Sequence, residues 1–503
     1  MPEFIRNFPF FCIVLSLLSS VICYALRDKK ARFVTYGLLT AGIVMSAVVI
    51  TYNITVSPGY FVYRMGHYDA PIGNEISAGL LEPFFVLLFQ IVIFLAITGG
   101  AKRIFAEVDE SKHKMFYIMV CLTHAALCAI CYTNDIFTAY VFVEICTIAS
   151  CALLMSKASP RALVAATRYM IFSLIGSGLL LIGIILLYSV TGHLLFPQLY
   201  ESVQLLWTSG EYALPLTVAL GLLVSGLAIK SGLFPFHLWM PDTYGTATPA
   251  ASGILSGVIS KVYLFLLLKV IYRVIGFEMF TQSHIGDLLF VFGVCGMIAG
   301  SVSAIRTNNI SFMIAFSSAA QIGYIYMGLG LGTKEALAAS LFQIVAHALT
   351  KPMLFLAASG LCDTVEGKRD FASLCSSAHR NKISGFAYAA GALSMVGIPV
   401  FAGFVPKLLF SAAAFGHSAK TYIVLIALAV STTLNVVYFL RTLINVYSVP
   451  KVDIPRKTIR FRTSPVQDIV LVVMIAVNVS VGLHSQPLIS LFEKGIEIFM
   501  SIR

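Results

Sequence analysis

Five ionisable side chains lie deep inside long apolar stretches of the chain: Glu144, Lys230, Lys261, His347 and Lys407. Placing one charge at the centre of a bilayer costs at least about 2.5–3.5 kcal/mol, so several are tolerated only where they pair or line a hydrated path. A buried lysine next to a carboxylate binds or releases a proton as the two groups approach or separate. These residue types therefore indicate a proton relay. A set of static buried ion pairs is the alternative.

Proline residues interrupt two of these apolar stretches close to the charge. Pro235 follows Lys230 by five residues, and Pro399 and Pro406 both precede Lys407. Proline removes a backbone donor and frees a carbonyl group, so the sequence predicts broken helices at both places.

Four further basic residues fall within the apolar stretches. Arg168, Lys269 and Arg441 lie near the ends of their stretches, where we expect long side chains to reach the membrane surface. Lys351 is deeper, one helical turn after His347.

The composition excludes a soluble protein. The chain has 503 residues, of which 58% are hydrophobic and only 11% charged, and its mean hydropathy is +0.90. Soluble domains carry about 25% charged residues, so lipid must solvate most of this chain. We predict an all-α polytopic membrane protein of about fourteen transmembrane helices. Their windows are residues 7–26, 33–53, 79–99, 115–133, 135–156, 162–190, 213–235, 248–275, 285–305, 308–331, 335–361, 385–415, 421–446 and 466–490.

Basic residues are concentrated in alternate loops, which predicts the orientation. The loops on the rich side hold Arg27, Lys29, Lys30, Arg32, Lys102, Arg103, Lys112, Lys114, Lys157, Arg161, Arg306, Lys368, Arg369, Arg380, Lys382, Lys451, Arg456, Lys457, Arg460 and Arg462. The positive-inside rule places this side in the cytoplasm and both termini outside an inner or cell membrane. The net charge of +11 therefore reflects topology, and we expect no nucleic-acid partner.

The two interrupted stretches indicate an internal repeat. Lys230 falls in the seventh predicted span and Lys407 in the twelfth, and an offset of five spans reverses the orientation in the membrane. We predict two inverted five-helix repeats containing broken helices. The predicted divisions are an N-terminal three-helix segment (1–114), a first repeat (115–275), a second inverted repeat (285–446), and a cytoplasmic loop with a C-terminal transmembrane helix (447–503).

Between about residues 115 and 445 the sequence resembles a known membrane family. The stretches that carry the resemblance are "TNDIFTAYVFVEI", "KSGLFPFHLWMPDTYGTATPAASGILSGVISKV", "IAFSSAAQIGYI", "HALTKPMLFLAASG" and "GALSMVGIPVFAGFVPK". They are similar to the antiporter-like subunits of Mrp-type cation/proton antiporters, complex I and membrane-bound energy-converting hydrogenases. The "NDIFTAYVFVE" form is more similar to the Mrp D subunit and hydrogenase branch than to complex I.

The resemblance implies a role for each of the five residues. Glu144 matches the family's fifth-span glutamate, Lys230 its seventh-span lysine and Lys261 its eighth-span lysine. His347 matches the eleventh-span histidine, and Lys407 matches the twelfth-span lysine. In the family these residues form a central hydrophilic axis for proton transfer.

Two regions depart from the family pattern or have no match in it. The family usually has an Asp-x-Lys-Arg run before its "AYSS" stretch, whereas this chain has Asn309, Ser311 and Phe312 there. Glu82, at the start of the third span, matches no family position. It is either an acid at an ion entrance or a side chain that reaches the surface.

We therefore expect a proton-translocating membrane subunit, with sodium/proton antiport as a variant, that uses a buried Glu/Lys/His relay. Its expected partners are the other membrane subunits of an Mrp-like, complex I-like or hydrogenase complex, together with protons or sodium and the lipid bilayer. We expect no cofactor, no metal site, and no redox or hydrolytic site of its own. A structural scaffold for a redox complex, with an idle relay, is the alternative. A quinone-binding subunit is disfavoured, because the buried charges spread over two repeats instead of lining one apolar pocket.

Overall fold

The computed structural model describes residues 2–26, 28–56, 59–68, 73–415, 420–449 and 464–501. Several predicted loop residues lie outside these ranges, namely Arg27, Lys451, Arg456, Lys457, Arg460 and Arg462. The described helices are α1 Pro2–Ile5, α2 Phe8–Ala25, α3 Asp28–Thr55, α4 Leu81–Gly99, α5 Ala101–Glu107, α6 His113–Tyr132, α7 Ile136–Met155, α8 Pro160–Thr191, α9 Phe196–Ser209, α10 Ala213–Ser231, α11 Trp239–Thr246, α12 Pro249–Ile254, α13 Ser260–Lys269, α14 Phe277–Gln282, α15 Ile285–Arg306, α16 Ile310–Leu331, α17 Lys334–Asp363, α18 Ser377–Arg380, α19 Lys382–Val396, α20 Phe404–Ala414, α21 Thr421–Tyr447, α22 Pro465–Leu483 and α23 Gln486–Ser501. Strands β1 Phe61–Arg64 and β2 Glu75–Ala78 pair antiparallel.

The predicted fold class is confirmed. Within the described residues, 13 helices or joined helices are long and apolar enough to cross a membrane. The broken pair α19 and α20 coincides with the one remaining predicted window, which gives fourteen spans. The last predicted window is too long, because α22 ends at Leu483 and the chain then turns into α23.

Both predicted helix breaks are present, and a glycine ends the first half of each broken helix. α10 ends at Gly232, whose φ is 84°, and α19 ends at Gly397, whose φ is 89°. This left-handed conformation is one that glycine adopts without steric strain. Pro235 and Pro399 lie just beyond these glycines, where the chain has already left the helix, whereas Pro406 lies in the first turn of α20. In each predicted repeat the broken helix is the fourth of five spans.

The eighth span is wound unevenly around the predicted relay lysine. Between α12 and α13, residues Leu255–Ile259 form a π-helical turn, and Val270–Ile275 form another after α13. This span is fully buried between neighbouring helices that include α4 and α17. It approaches α17 closely, since a Cβ added at Gly257 would lie 2.8 Å from Cγ of Pro352. π-Helical turns occur mainly as single insertions in α-helices and are frequent at functional sites.

One end of the bundle is covered by short elements that the sequence does not predict. We call it the terminal face; it carries α1, the β-hairpin, α9 and α23. Three side chains of the amphipathic helix α23 are buried there, Phe492, Ile496 and Phe499, and Phe492 lies against Phe84 and Phe85 of α4. We call the opposite end the basic face; it carries the loops around residues 100–112, 156–160, 306–309 and 363–381.

Candidate functional site

The first helix break brings together two of the predicted relay residues. Lys230 lies in the last turn of α10, and its Nζ is 3.4 Å from Oε1 of Glu144 on α7. The same Nζ donates a hydrogen bond of 2.8 Å to Oγ1 of Thr147, one turn further along α7. The Lys230 side chain is fully buried, whereas 25% of the Glu144 side chain is exposed. A buried ammonium group thus lies beside a single carboxylate, and the distance between the two groups governs whether the lysine keeps its proton.

Hydroxyl groups extend this pair towards the eighth span. Glu144 also accepts a hydrogen bond from Ser177 on α8. Oγ1 of Thr147 lies 3.5 Å from the hydroxyl oxygen of Tyr263, which is on α13 two residues after Lys261. A polar connection therefore leads from Lys230 to the helix that carries Lys261.

Lys261 lies where the π-helical turn returns to the regular helix α13. Its Nζ donates to the carbonyl oxygen of Ser256, inside the π-turn, and to Oγ of Ser260 at 3.0 Å. A π-turn displaces the regular i→i−4 ladder, which accounts for a carbonyl group that faces a side chain. Lys261 is fully buried, and no carboxylate among the described residues pairs with it. Its ammonium group is therefore held by dipoles of its own helix.

His347 and Lys351 lie one turn apart in the middle of α17. Both are fully buried, and neither ring nitrogen of His347 has a hydrogen-bond partner among the described residues. Lys351 donates to the carbonyl oxygen of Ile314 at 2.8 Å and to Ser317 on α16. Lys261 and Lys351 both lie within Coulombic range of the His347 ring. Leaving a buried polar group unpaired costs about 1–3 kcal/mol, so the unpaired ring is a costly feature that packing alone does not explain.

The second break holds Lys407 in a different way. Lys407 belongs to α20, after the break, but its Nζ reaches back to the carbonyl oxygens of Val396 and Met395, the latter at 3.5 Å. It also donates to Oγ1 of Thr432 at 3.1 Å. These carbonyl groups end α19, so the ammonium group caps the negative end of that helix dipole.

Three clusters follow from these positions. The first contains Glu144 and Lys230, the second contains Lys261, His347 and Lys351, and the third contains Lys407. Lys351 was not among the five predicted relay residues, although its position one turn after His347 is the signal that identifies it.

Similar known proteins identify the family of this chain. The profile of the family described as NADH:quinone oxidoreductase/Mrp antiporter, TM, matches residues 133–434. The chain belongs to this family. The N-type subunit of NADH-quinone oxidoreductase from Desulforudis audaxviator is 30% identical over 446 residues, which cover 85% of each chain. The D-type subunit of the Na(+)/H(+) antiporter from Alkalihalophilus pseudofirmus is 25% identical over 414 residues, which cover 82% of this chain and 81% of the relative.

A solved structure shows the same fold. A chain of the Mrp complex from Dietzia sp. DQ12-45-1b has a TM-score of 0.87 and 21% sequence identity, and the match covers 99% of this chain and 98% of that chain. The family profile over residues 133–434 and the relative at 30% identity confirm the predicted membership of the NADH:quinone oxidoreductase/Mrp antiporter family. The finer prediction, that the Mrp D and hydrogenase branch is more similar than complex I, stays a prediction.

The uncharged residues that replace the family's charged run before α16 still form the start of that helix. Asn309 is the N-cap residue of α16, and its Oδ1 accepts from the backbone N–H groups of Ser311 at 3.0 Å and Phe312 at 3.3 Å. Asparagine caps helices as well as aspartate does. This NADH:quinone oxidoreductase/Mrp antiporter family member thus loses charge at these positions without losing the helix start.

A buried ion pair near the terminal face escapes the sequence prediction. Oε1 of Glu82 lies 3.1 Å from Nη1 of Arg273, and each side chain is only 1% exposed. The interpretation of Glu82 as a side chain reaching the surface is therefore wrong. Arg273 also donates to Ser77 and Asn134, each at 3.1 Å, so the pair ties β2 and the end of α6 to the eighth span.

The prediction that the basic residues near span ends reach the membrane surface is wrong for Lys269 and stays a prediction for Arg168 and Arg441. Arg168 is half exposed and pairs with Asp242, and Arg441 is exposed. Lys269 is fully buried, and its Nζ donates to the carbonyl oxygens of Cys131 and Thr133, both at 2.6 Å. The reason is that α9 and the second π-helical turn pack together over the end of its span, so it has no route to the surface.

Proposed function

We propose that this chain is a proton-translocating subunit of a multi-subunit membrane complex. The observation that carries the proposal is the fully buried Nζ of Lys230, 3.4 Å from the carboxylate of Glu144 at a helix break. The name of one relative, a sodium/proton antiporter subunit, supports ion transport, and sodium is a second candidate ion. The proposed relay residues are Glu144, Lys230, Lys261, His347 and Lys407, with Lys351 as a sixth member.

Charge balance supports movement of protons along this set. Lys230, Lys261, Lys351 and Lys407 are all buried or nearly so, while Glu144 is the carboxylate that pairs within these clusters in the described chain. Effective penalties for burying an ion amount to several kcal/mol each, and one carboxylate cannot offset four ammonium groups. The four lysines therefore do not all carry a proton at once, and a proton can pass from a charged lysine to a neutral one, which is the condition for a relay.

The depths of the two breaks support a path across the membrane. Lys230 ends an 18-residue stretch of α10, so it lies about 26 Å from the terminal face at 1.5 Å per residue. Nζ of Lys407 binds the last carbonyl groups of the 15-residue helix α19, about 21 Å from the basic face. The hydrocarbon core is about 30 Å thick, so its midplane is about 15 Å from either face. Lys230 therefore lies in the half nearer the basic face, and the Lys407 ammonium group lies in the half nearer the terminal face. We propose uptake at Lys230, transfer through Lys261, His347 and Lys351, and release at Lys407.

We further propose the orientation that the loop charges predict. The basic face is cytoplasmic, both termini lie outside, and the membrane is the inner or cell membrane. The predicted boundaries of the N-terminal segment (1–114), the two repeats (115–275 and 285–446) and the C-terminal part (447–503) are proposed with it.

Partner subunits complete the site at Glu144. Its carboxylate lies on the face of α7 that exposes Phe137, Val141 and Ile148. An ionised carboxylate facing lipid is unfavourable, so we propose that another membrane subunit covers this face.

The test is proton uptake into inverted membrane vesicles that contain the complete complex, followed with a pH-sensitive dye. We expect Lys230→Met and Lys351→Met to reduce transport to a small residual rate while the subunit still co-purifies with its partners. Lys334→Met is the matched control, because Lys334 is exposed in the first turn of the helix that carries Lys351.

The same experiment separates transport from the alternative of a structural scaffold. A scaffold with an idle relay predicts that Lys230→Met either disrupts assembly or leaves proton uptake unchanged. Transport equal to that of Lys334→Met would reject the proposal. Lys407→Ala addresses the exit separately, since it should block release at the terminal face in the assembled complex. Unchanged release would refute the proposed exit alone.

A further inference from the structure

A cavity with a strongly basic lining opens at the basic face, between the two predicted repeats. Its volume is about 660 Å³, and it lies among α5, the loop that joins α7 to α8, and the loop that joins α15 to α16. Arg103, Lys157, Arg161 and Arg369 line it, and Glu107 is the acidic residue in the lining. Cations therefore outnumber carboxylates at its wall by a wide margin.

The charges of this cavity are not balanced within the described chain. Glu107 pairs with both Arg103, at 3.2 Å, and Lys157, at 2.7 Å. Asp363, which lies outside the lining, also pairs with Arg103, so Arg161 and Arg369 are the lining cations without a carboxylate partner among the described residues. Nη1 of Arg369 donates to the carbonyl oxygen of Gly245 at 2.7 Å and has no carboxylate partner among the described residues. Burial, together with the positive charges of Arg369 and Arg103, lowers the pKa of Lys157, although Glu107 opposes this effect. The cations therefore repel one another across the cavity.

Arg161 is an exposed cation of the lining whose side chain has no partner among the described residues. It lies in the first turn of α8, a 32-residue helix, and it forms no hydrogen bond or ion pair with any described residue. The N-terminus of a helix carries partial positive charge, so a cation there is unfavourable and an anion is favourable. The 22-residue helix α16 also begins at this cavity, through Asn309 and Ser311. An anion in the cavity would meet Arg161 and two helix N-termini.

A lateral opening identifies the source of the anion. A second cavity of about 440 Å³ shares Pro160, Arg161, Thr246 and Phe312 with the first and continues onto α8 at Val164. Beyond it, α8 exposes a run of large apolar side chains: Leu163, Val164, Ile171, Leu174 and Ile175. A soluble phosphate ester would need only the basic cavity, whereas a lipid would use both the cavity and this apolar surface.

We propose that the two joined cavities bind an anionic phospholipid, with its phosphate group beside Arg161 and its acyl chains along α8. Basic pockets between transmembrane helices on the cytoplasmic side are suited to such head groups. The bound phosphate would offset the repulsion among the cations and hold the start of α8 against the start of α16. This inference does not depend on the proposed proton path.

The test uses the purified membrane complex that contains this subunit, with Arg161→Glu compared against Arg306→Glu. Arg306 is the matched control, because it is an exposed arginine on the same face outside the cavity lining. Retained phospholipid is measured by native mass spectrometry. We expect Arg161→Glu to lower the retention of phosphatidylglycerol at least about fivefold, since one basic residue near an anionic head group contributes about 1 kcal/mol. Arg161→Lys should retain the lipid.

Unfolding would not explain a loss of lipid, because glutamate in the first turn of a helix is favourable. Thermal unfolding of delipidated complex adds a second measurement, in which phosphatidylglycerol should raise the midpoint more than phosphatidylcholine or inorganic phosphate does. Equal lipid retention by Arg161→Glu and Arg306→Glu would overturn the proposal. An equal stabilisation by inorganic phosphate would also overturn it and would assign the site to a soluble anion.

Discussion

Replacing Glu144 by glutamine tests whether the pair at the first break moves protons. Nζ of Lys230 lies 3.4 Å from the Glu144 carboxylate. Two unit charges at that distance attract by about 5 kcal/mol at an effective dielectric constant of 20, and by about 1 kcal/mol in bulk water. Lys230 is fully buried while 25% of Glu144 is exposed, so the interaction falls between these limits.

A proton transfer that passes through charged Lys230 loses this stabilisation in Glu144→Gln. Because 1.36 kcal/mol corresponds to one factor of ten, we expect proton uptake to fall between about fivefold and about 5,000-fold. The assay is dye-detected proton uptake in inverted vesicles, normalised to the amount of assembled complex. Glu335→Gln is the control, since Glu335 is an exposed carboxylate at the start of α17.

The double variant Glu144→Gln/Lys230→Met separates a functional pair from two independent residues. If the two groups form one transfer step, the double variant should lose no more transport than Lys230→Met alone. Wild-type uptake by Glu144→Gln would refute the reasoning. So would losses that simply add in the double variant. The swapped pair, Glu144→Lys with Lys230→Glu, should fold and assemble but should not restore directional transport.

Three further predictions follow from the surrounding structure. Glu82→Gln should lower the free energy of unfolding by about 3–5 kcal/mol, because it leaves the buried charge of Arg273 unpaired. Arg64→Gln, which removes the exposed partner of Glu75 at 3.2 Å, should cost under about 1 kcal/mol. Resistance to unfolding by dodecyl sulfate measures the stability of both variants. Equal losses of stability would contradict the argument that burial makes the Glu82–Arg273 pair the more important one. Gly257→Val should destabilise the subunit by about 1–3 kcal/mol, while Gly221→Val, which meets no neighbour within 4 Å, should not. Burial lowers the pKa of Lys157, so retention of anionic lipid should decline as pH rises towards 10, before an ordinary lysine loses its charge; constant retention up to that pH would exclude this lysine from the site.

The spans and the breaks can be predicted from sequence because both depend on local chemistry. A span needs about 20 consecutive apolar residues, so each window is visible without knowledge of its neighbours. A break needs glycine or proline close to a buried charge, as at Gly232 and Gly397. The relay prediction for Glu144 and Lys230 has a similar basis, since each is too costly to bury alone.

The buried cluster at the terminal face has no comparable local signal. Glu82 and Arg273 are 191 residues apart, and either could reach a surface if its own helix were considered alone. Their burial depends on the cover formed by the β-hairpin and α23, where the Phe499 ring lies 5.4 Å from the Arg273 guanidinium. An amphipathic helix lying along a membrane face lacks a long apolar run, so a search for spans does not find it. Lys269 is mispredicted for the same reason.

The way each lysine is held suggests where coupling to another subunit enters. Lys261 and Lys407 are bound by backbone carbonyl and hydroxyl oxygens. Carbonyl dipoles stabilise an ammonium group but do not accept its proton at accessible pH, so transfer from these sites requires water or a neighbouring base. Lys230 alone among the lysines in the three clusters of the described axis faces a carboxylate, which can accept a proton. That carboxylate is also the member of the pair that remains partly exposed on α7, so the charge of a group on an adjoining subunit would act first on Glu144 and through it on Lys230. A partner that presents a cation to this face would draw the Glu144 carboxylate away from Lys230 and so lower the affinity of Lys230 for its proton. A neutral partner surface would leave the ion pair intact.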